Sequence, residues 1–332
     1  MLVNLFESYR SSPNYQNGEA DKMLRKLFVK LTLLGMVTAL VSSGLKSSAS
    51  NPKLLASAQD PSTIVISDIS NNPSKKIKRY QGFADYLAEQ LSPLGVKQGD
   101  VEVAPNFESM ANLLKSGEVD LYFDSPYPAM IISDMSGAKP ILRRWKGGIG
   151  EYYTVIFTMK DRGIKSLEDL KGKKIGFDKL SSTSGYMLPT ALLIESGFNP
   201  QEKKSDNSPV SADEVGYIFT DDDENTIQWV ISGKVEAGAI DIGTFMRIPE
   251  ASRQGMIVVA ESEKVARHMV LARPDLKPEM LEAIKTIMLK MDKTPEGKEV
   301  LQGFEKTAKF DEFPPESSIK RMRELYELVQ NR

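Results

Sequence analysis

The sequence predicts an α/β protein in which one scheme, a mostly parallel sheet covered by helices on both faces, is used twice. Three observations carry this expectation. Strand-like and helix-like runs alternate between Thr63 and Phe123, and the alternation restarts after Gly147-Gly148. One junction is written the same way in both halves, as Ser116-Gly117-Glu118-Val119-Asp120 and as Ser232-Gly233-Lys234-Val235-Glu236. A chain of 332 residues, 41% hydrophobic and 27% charged, is long enough to bury two cores.

The chain opens with the layout of an export signal over residues 23–49. Arg25, Lys26 and Lys30 precede an apolar run at 31–41, and the small residues Ser47-Ser48-Ala49 follow. The run is too short for a membrane span. Residues 1–22 are polar and unlike a signal, and are expected to be either a non-native stretch, with Met23 as the true start, or a dispensable extension. Residues 51–62 are a polar lead-in.

The first half follows in order. Thr63-Ile64-Val65-Ile66 is β-branched and reads as a strand. Phe83, Tyr86, Leu87 and Leu91 recur at helical spacing, Val101-Glu102-Val103 is a second strand, and Phe107, Met110, Leu113 and Leu114 mark a second helix. Gly117 stops that helix before a third strand at 119–123. In the second half, strands are expected at 152–159, 173–177, 214–219 and 235–240. Helices are expected at 166–170, 187–195 and 226–232. Past Pro278 the chain is helical, and Leu281, Ile284, Met288 and Met291 form one stripe, read as core.

Composition excludes several chemistries. The chain has no cysteine, so disulfides, thiolate metal sites and cysteine nucleophiles are absent. His268 is the single histidine, which rules out a multi-histidine metal site. A net charge of −2 gives no sign of nucleic-acid binding. No cofactor or metal is expected.

Open α/β sheets bind ligands beyond the carboxyl ends of their strands. In the first half those ends carry Asp68 and Asp124-Ser125-Pro126-Tyr127; in the second, Ser181-Ser182-Thr183-Ser184-Gly185, Asp221-Asp222-Asp223-Glu224 and Asp241. The hydroxyl run lies between a strand and a helix. The unpaired N–H groups and dipole of a helix N-terminus favour an anion there, and the hydroxyls of Ser182, Thr183 and Ser184 add donors. The plainer alternative is that one hydroxyl only caps the helix; local sequence leaves both open. Asp221 and Asp222 read best as a solvated helix start. Arg143 reads as a basic strand edge, and Arg144 is left open between that role and an anion clamp.

Several segments together resemble one family. These are Leu167-Glu168-Asp169-Leu170-Lys171-Gly172-Lys173, the Ser182-Thr183-Ser184-Gly185-Tyr186 turn with Pro189, Tyr80 with Phe83-Ala84-Asp85-Tyr86-Leu87, Gly117-Glu118-Val119-Asp120-Leu121 and Gly233-Lys234-Val235-Glu236-Ala237-Gly238. They are similar to substrate-binding proteins of phosphonate/phosphite/phosphate-type ABC transporters. The resemblance implies a two-lobed, Venus-flytrap periplasmic-binding-protein fold with two crossing strands, expected near 145–153 and 267–273. Residues 60–150 and 270–332 would form lobe I, and 151–269 lobe II. It implies that Ser182, Thr183 and Ser184 hold the ligand's oxyanion and that Tyr127 or a neighbour is the first-lobe aromatic.

This chain also departs from the family's pattern. Where a Ser-His-Asp segment is usual, the His position is Asp223 and the Asp position Glu224. The function implied is delivery of a small oxyanion or polar zwitterion to an ABC permease and its ATPase, by a monomer in the periplasm, with no catalysis. The alternatives are a ligand-binding sensor or accessory protein of a signalling system, and a carboxylate-based enzyme. The expected ligand-binding set is Asp68, Asp124, Ser125, Tyr127, Ser182, Thr183, Ser184, Asp223, Glu224 and Asp241.

Overall fold

A computed structural model describes residues 62–314 and 317–331. The expected export signal, the extension before it and nearly all of the polar lead-in lie outside the described residues.

The first run of elements is β1 (Thr63–Ile69), α1 (Pro73–Gln90), β2 (Gln98–Ala104), α2 (Phe107–Ser116), β3 (Leu121–Asp124), α3 (Pro126–Ser136) and β4 (Lys139–Arg144). The second is β5 (Glu151–Tyr152), β6 (Thr154–Met159), β7 (Lys174–Phe177), α4 (Leu188–Glu195), β8 (Pro200–Glu202), β9 (Val215–Phe219), α5 (Asp223–Ser232), β10 (Ala237–Asp241), α6 (Ile242–Arg247), α7 (Glu250–Arg253), β11 (Met256–Glu261) and β12 (Val265–Ala266). The chain then returns through β13 (His268–Ala272), α8 (Pro278–Lys290), α9 (Pro295–Gly303), β14 (Phe310–Asp311) and α10 (Ser317–Gln330).

These strands form two six-stranded sheets. One has the order β14-β4-β13-β3-β1-β2 and the other β11-β6-β10-β7-β9-β8. In the first, β1 runs parallel to β2 and β3, and the returning β13 is inserted antiparallel between β3 and β4. The only strand pairing outside the two sheets among the described residues is a two-stranded ribbon, Val265 opposite Tyr152 and Ala266 opposite Glu151. The second crossing therefore comes earlier than 267–273, because β13 is already a full member of the first sheet. Arg143 is likewise not on a sheet edge: β14 pairs outside β4, with Asp311 opposite Arg143.

The repeated junction has a common cause. Both α2 and α5 start on a side-chain cap, Asn106 accepting from Ser109 N and Asp222 accepting from Asn225 N. Both stop at a glycine with positive φ, 78° at Gly117 and 77° at Gly233. That left-handed turn costs a glycine little and redirects the chain into the next strand.

Two cores follow the two sheets. Ile64, Ile66, Leu121, Phe123, Leu142 and Val270 pack under α1, α8 and α9, with Ile284, Met288 and Met291 buried among them, as the stripe predicted. Val155, Phe157, Val230, Val235 and Phe245 fill one face of the second sheet. A third cluster is shared: Tyr122, Tyr127 and Met130 join Phe177, Tyr186 and Leu188, and Met322, Leu325, Tyr326 and Val329 of α10 close it. Helix α10 is thus not confined to the first lobe. Arg323 pairs with Asp134 of α3 at 2.6 Å, while Arg321 pairs with Glu195 and Glu263 at 2.6 and 2.7 Å.

Candidate functional site

The candidate site is built from the carboxyl ends of β1, β3 and β4 and those of β7, β9 and β10, which touch at Thr183 and the start of α3. The hydroxyl turn sits at the centre. After β7, residues Thr183–Met187 form one wide π-type turn before α4 begins, with Met187 N donating to Ser182 O. Such turns are rare and concentrate at functional sites. Gly185 is required there: a Cβ at this position would stand 2.4 Å from the Cβ of Asp178. Ser182 caps the turn, its Oγ accepting from Gly185 N at 3.0 Å. The capping alternative is therefore realised at Ser182.

Thr183 does something else. Its Oγ accepts from Tyr127 N at 2.9 Å and donates to Ser125 Oγ at 3.0 Å, so a hydroxyl of the second sheet's turn is bonded to the start of α3 on the first sheet. Thr183 is buried, whereas the residues Ser182 and Ser184 are partly accessible. The Ser184 carbonyl accepts from Thr154 Oγ at 2.6 Å, which ties the turn to β6.

Tyr127 meets the turn through its backbone. Its ring is packed beside Tyr186 and Tyr326, each 5.8 Å away, and its hydroxyl accepts from Gln330 Nε2 at 2.7 Å. The aromatic that reaches the hydroxyl turn is Tyr152 of the ribbon, which the sequence reading did not single out. Burial raises the pKa of its phenol, Arg267 and a hydrogen bond with Thr183 oppose the shift, and Asp241 and Asp124 add to it. Tyr152 is itself buried, opposite Val265 in the ribbon. The Arg267 guanidinium lies over its ring at 4.5 Å.

The second sheet contributes carboxylates. Asp241 caps α6, accepting from Thr244 N at 3.1 Å and from Thr244 Oγ at 2.5 Å. Asp223 lies 3.3 Å from the same hydroxyl, whose single proton cannot serve both acids. Asp223 is left the poorer share. Burial, then the neighbouring Asp178 and Asp241, raise its pKa to about 6. Asp178, beside the hydroxyl turn, is also raised, chiefly by burial. Asp222 is the exposed cap of α5, and Glu224 is exposed on that helix's first turn. Glu224 is thus not brought in with Asp223.

The first sheet contributes a denser cluster. Asp68 accepts from Tyr80 Oη at 2.5 Å and pairs with Lys76. Asp124 accepts from Tyr122 Oη at 2.7 Å and from Ser125 N at 2.6 Å, yet burial and then Asp68 push its carboxyl up. Arg144 is fully buried. Its guanidinium lies over Phe304 at 3.8 Å, with Nε donating to Thr307 Oγ at 2.9 Å and Nη2 donating to Phe304 O at 2.9 Å. Glu305 is shared by Lys76, Arg79, Arg144 and Lys146 at 3.0, 3.7, 3.3 and 3.2 Å. Burial opposes its ionisation, but Lys146, Arg144 and Lys76 hold its carboxyl well below the usual range. Glu305 and Lys306 have positive φ, 51° and 55°, a conformation that costs a non-glycine residue of order 1–3 kcal/mol. The ring of cations gives that strain a reason.

This geometry, two α/β lobes joined at a ribbon with polar groups on their facing ends, defines the two-lobed fold of periplasmic binding proteins. The family model of the phosphonate ABC-transporter periplasmic substrate-binding protein matches residues 68–317, and the chain belongs to that family. Among relatives, the phosphate-import protein PhnD of Mycolicibacterium smegmatis is 26% identical over 267 residues, covering 78% of this chain and 80% of that one. XAC2383 of Xanthomonas citri, solved with a chloride ion and with ATP, has a TM-score of 0.74 at 24% identity, covering 81% of this chain and 98% of its own. PhnD1 of Prochlorococcus marinus, solved with methylphosphonate, has a TM-score of 0.58 at 18% identity, covering 82% and 100%.

Proposed function

We propose that this protein captures a small phosphorus oxyanion, a phosphonate or phosphate-type solute, between its two sheets and presents it to an ABC permease and its ATPase. It does so as a monomer exported to the periplasm by the segment at 23–49. The observation that carries the reading is the Thr183 hydroxyl, held at a turn that opens a helix and bonded to Ser125 and Tyr127 of the facing lobe. Groups so placed can respond together when a ligand draws the lobes onto each other. The phosphate-import relative supports the same solute chemistry.

In this reading Ser182, Thr183 and Ser184 line the oxyanion. Asp124 and Ser125 lie opposite, and Asp68 braces the lobe I wall through Lys76 and Tyr80. Asp223 and Asp241 set which protonation state is accepted. An ionised carboxylate only accepts hydrogen bonds and repels a second anion. A ligand that keeps a proton, on oxygen or on an amine, is therefore preferred over a fully ionised anion such as sulfate.

Thermal-shift measurements on the purified protein test this. Phosphate, phosphite or methylphosphonate should raise the melting temperature, because a ligand bound only by the folded state stabilises by about 2.7 kcal/mol at a hundred times its Kd. Sulfate should give a much smaller shift. No shift with any phosphorus oxyanion overturns the reading.

A further inference from the structure

Two buried side-chain atoms at the carboxyl end of the first sheet have no hydrogen-bond partner among the described residues: Arg144 Nη1 and His268 Nδ1. Arg144 is 0% exposed and His268 4%. Leaving such groups unpaired away from water is costly, so an unpaired buried donor asks what it serves. They are also neighbours. His268 is directly opposite Arg144 in the β13–β4 ladder, which puts both side chains on the same face of the sheet, about 5 Å apart at Cβ. Lys146, two residues past Arg144, is half-buried and close enough to both that each feels its charge.

The surroundings are short of negative charge. Lys76, Arg144 and Lys146 share Glu305, Lys76 also takes Asp68, and Arg267 stands over Tyr152. Asp124, the remaining acid of this wall, is pushed toward its neutral form by burial. The cluster also adjoins the hydroxyl turn. Met269 pairs with Asp124, so His268 precedes that pair on β13 where Ser125 follows it just past the end of β3, and Ser125 accepts from Thr183. The path Thr183, Ser125, His268, Arg144 thus crosses three adjacent strands, each about 4.8 Å from the next.

We propose that Arg144 Nη1, His268 Nδ1 and Lys146 Nζ form a second anion subsite on the first lobe. It takes a carboxylate or second phosphoryl group of a solute whose phosphorus oxyanion lies at the hydroxyl turn. This rests on the proposed function, and it narrows the solute to one carrying two acidic groups a few bonds apart.

The test uses probes that differ by one group: methylphosphonate against phosphonoacetate and 3-phosphonopropionate, by calorimetry. At least one of the two carboxylated probes should bind about tenfold or more tighter than methylphosphonate, the gain expected of charge-assisted hydrogen bonds. In Lys146→Met, a change at a half-buried position, that ratio should fall toward one. Because His268 is the only histidine, its imidazole resonances in a tag-free sample are unambiguous. Its pKa, lowered well below 6.5 by burial and by Lys146 and Arg144, should rise when the carboxylated probe binds and less with methylphosphonate.

If methylphosphonate binds as tightly as both carboxylated probes, the second subsite is wrong and the proposed function stands. An unchanged ratio in Lys146→Met, or a His268 response identical for all three probes, also overturns it. If none of the probes binds, the phosphonate reading of the cleft falls and the subsite falls with it.

Discussion

The Thr183 hydroxyl and the backbone nitrogen of Tyr127, 56 positions apart in sequence, are 2.9 Å apart across the two lobes. Thr183 is buried, so this bond is sheltered from water, while its companion to Ser125 is partly so. They join the hydroxyl turn of the second sheet to the start of α3 on the first.

Thr183→Val keeps the shape and removes both bonds. A net loss of about 0.5–1.5 kcal/mol for each bond should shift the lobes toward an open state. Small-angle scattering of the ligand-free protein should report a larger radius of gyration, and the affinity for a phosphorus oxyanion should fall by roughly tenfold or more. Replacing Ser182, Thr183 and Ser184 together by Ala should abolish ligand-induced stabilisation. A triple variant with unchanged affinity would reduce the turn to a cap.

Asp223 sets a pH dependence whose sign is fixed. Its carboxyl titrates near 6 in the folded protein, against an ordinary value of 3.8. The folded state therefore holds this proton more tightly than the unfolded chain. The associated stability is full below about pH 4 and is lost as pH rises through about 6. Asp223→Asn removes that loss. Chemical denaturation should find the variant more stable than wild type at about pH 7–8, by up to ~3 kcal/mol, with little difference near pH 3.5. The same variant should narrow the preference for proton-bearing ligands over sulfate, because an amide can also donate.

Arg144 and Glu305 form a buried pair whose partners cannot be removed singly without cost. Arg144→Met should destabilise by roughly 3–5 kcal/mol, since it takes one cation from a buried carboxylate, removes the donor to Thr307 Oγ, and leaves the Phe304 carbonyl with Thr307 alone. Glu305→Gln should then cost less in the Arg144→Met background than in wild type, because one of the four cations it serves is already gone. A double-mutant cycle in urea checks this, and strictly additive losses would mean that the two side chains do not act together.

Helix α10 ties both lobes through the shared core, so its apolar face should matter to the whole molecule. Leu325 is 2% exposed and packs in that core. Leu325→Ala should cost about 2–5 kcal/mol. Gln330→Ala should cost less, about 1 kcal/mol, because it removes one hydrogen bond to the Tyr127 hydroxyl. Thermal unfolding that places the two losses in the reverse order would refute the packing role.

The sequence by itself determined what is local. Alternating runs of period two and period 3.6 marked most of the strands and helices, though not α3, α6 or β11, Gly117 and Gly233 fixed where two helices stop, and strand ends marked Asp68, Asp124, the hydroxyl turn and Asp241 as candidates for a site. Residues near one another in the chain decide these features, through backbone hydrogen bonding and side-chain periodicity. Tertiary structure alone decided where long side chains end up. It sent the Tyr127 ring to Tyr326 and Gln330, ringed Glu305 with four cations, left Glu224 on the surface, and set the only histidine opposite Arg144. Apart from Glu224, whose exposure follows from its place on the first turn of α5, each of these depends on the register of β13, inserted between β3 and β4 from more than a hundred residues away, or on the docking of α9 and α10. No local pattern encodes such pairings, because they follow from which surfaces bury each other once both sheets exist.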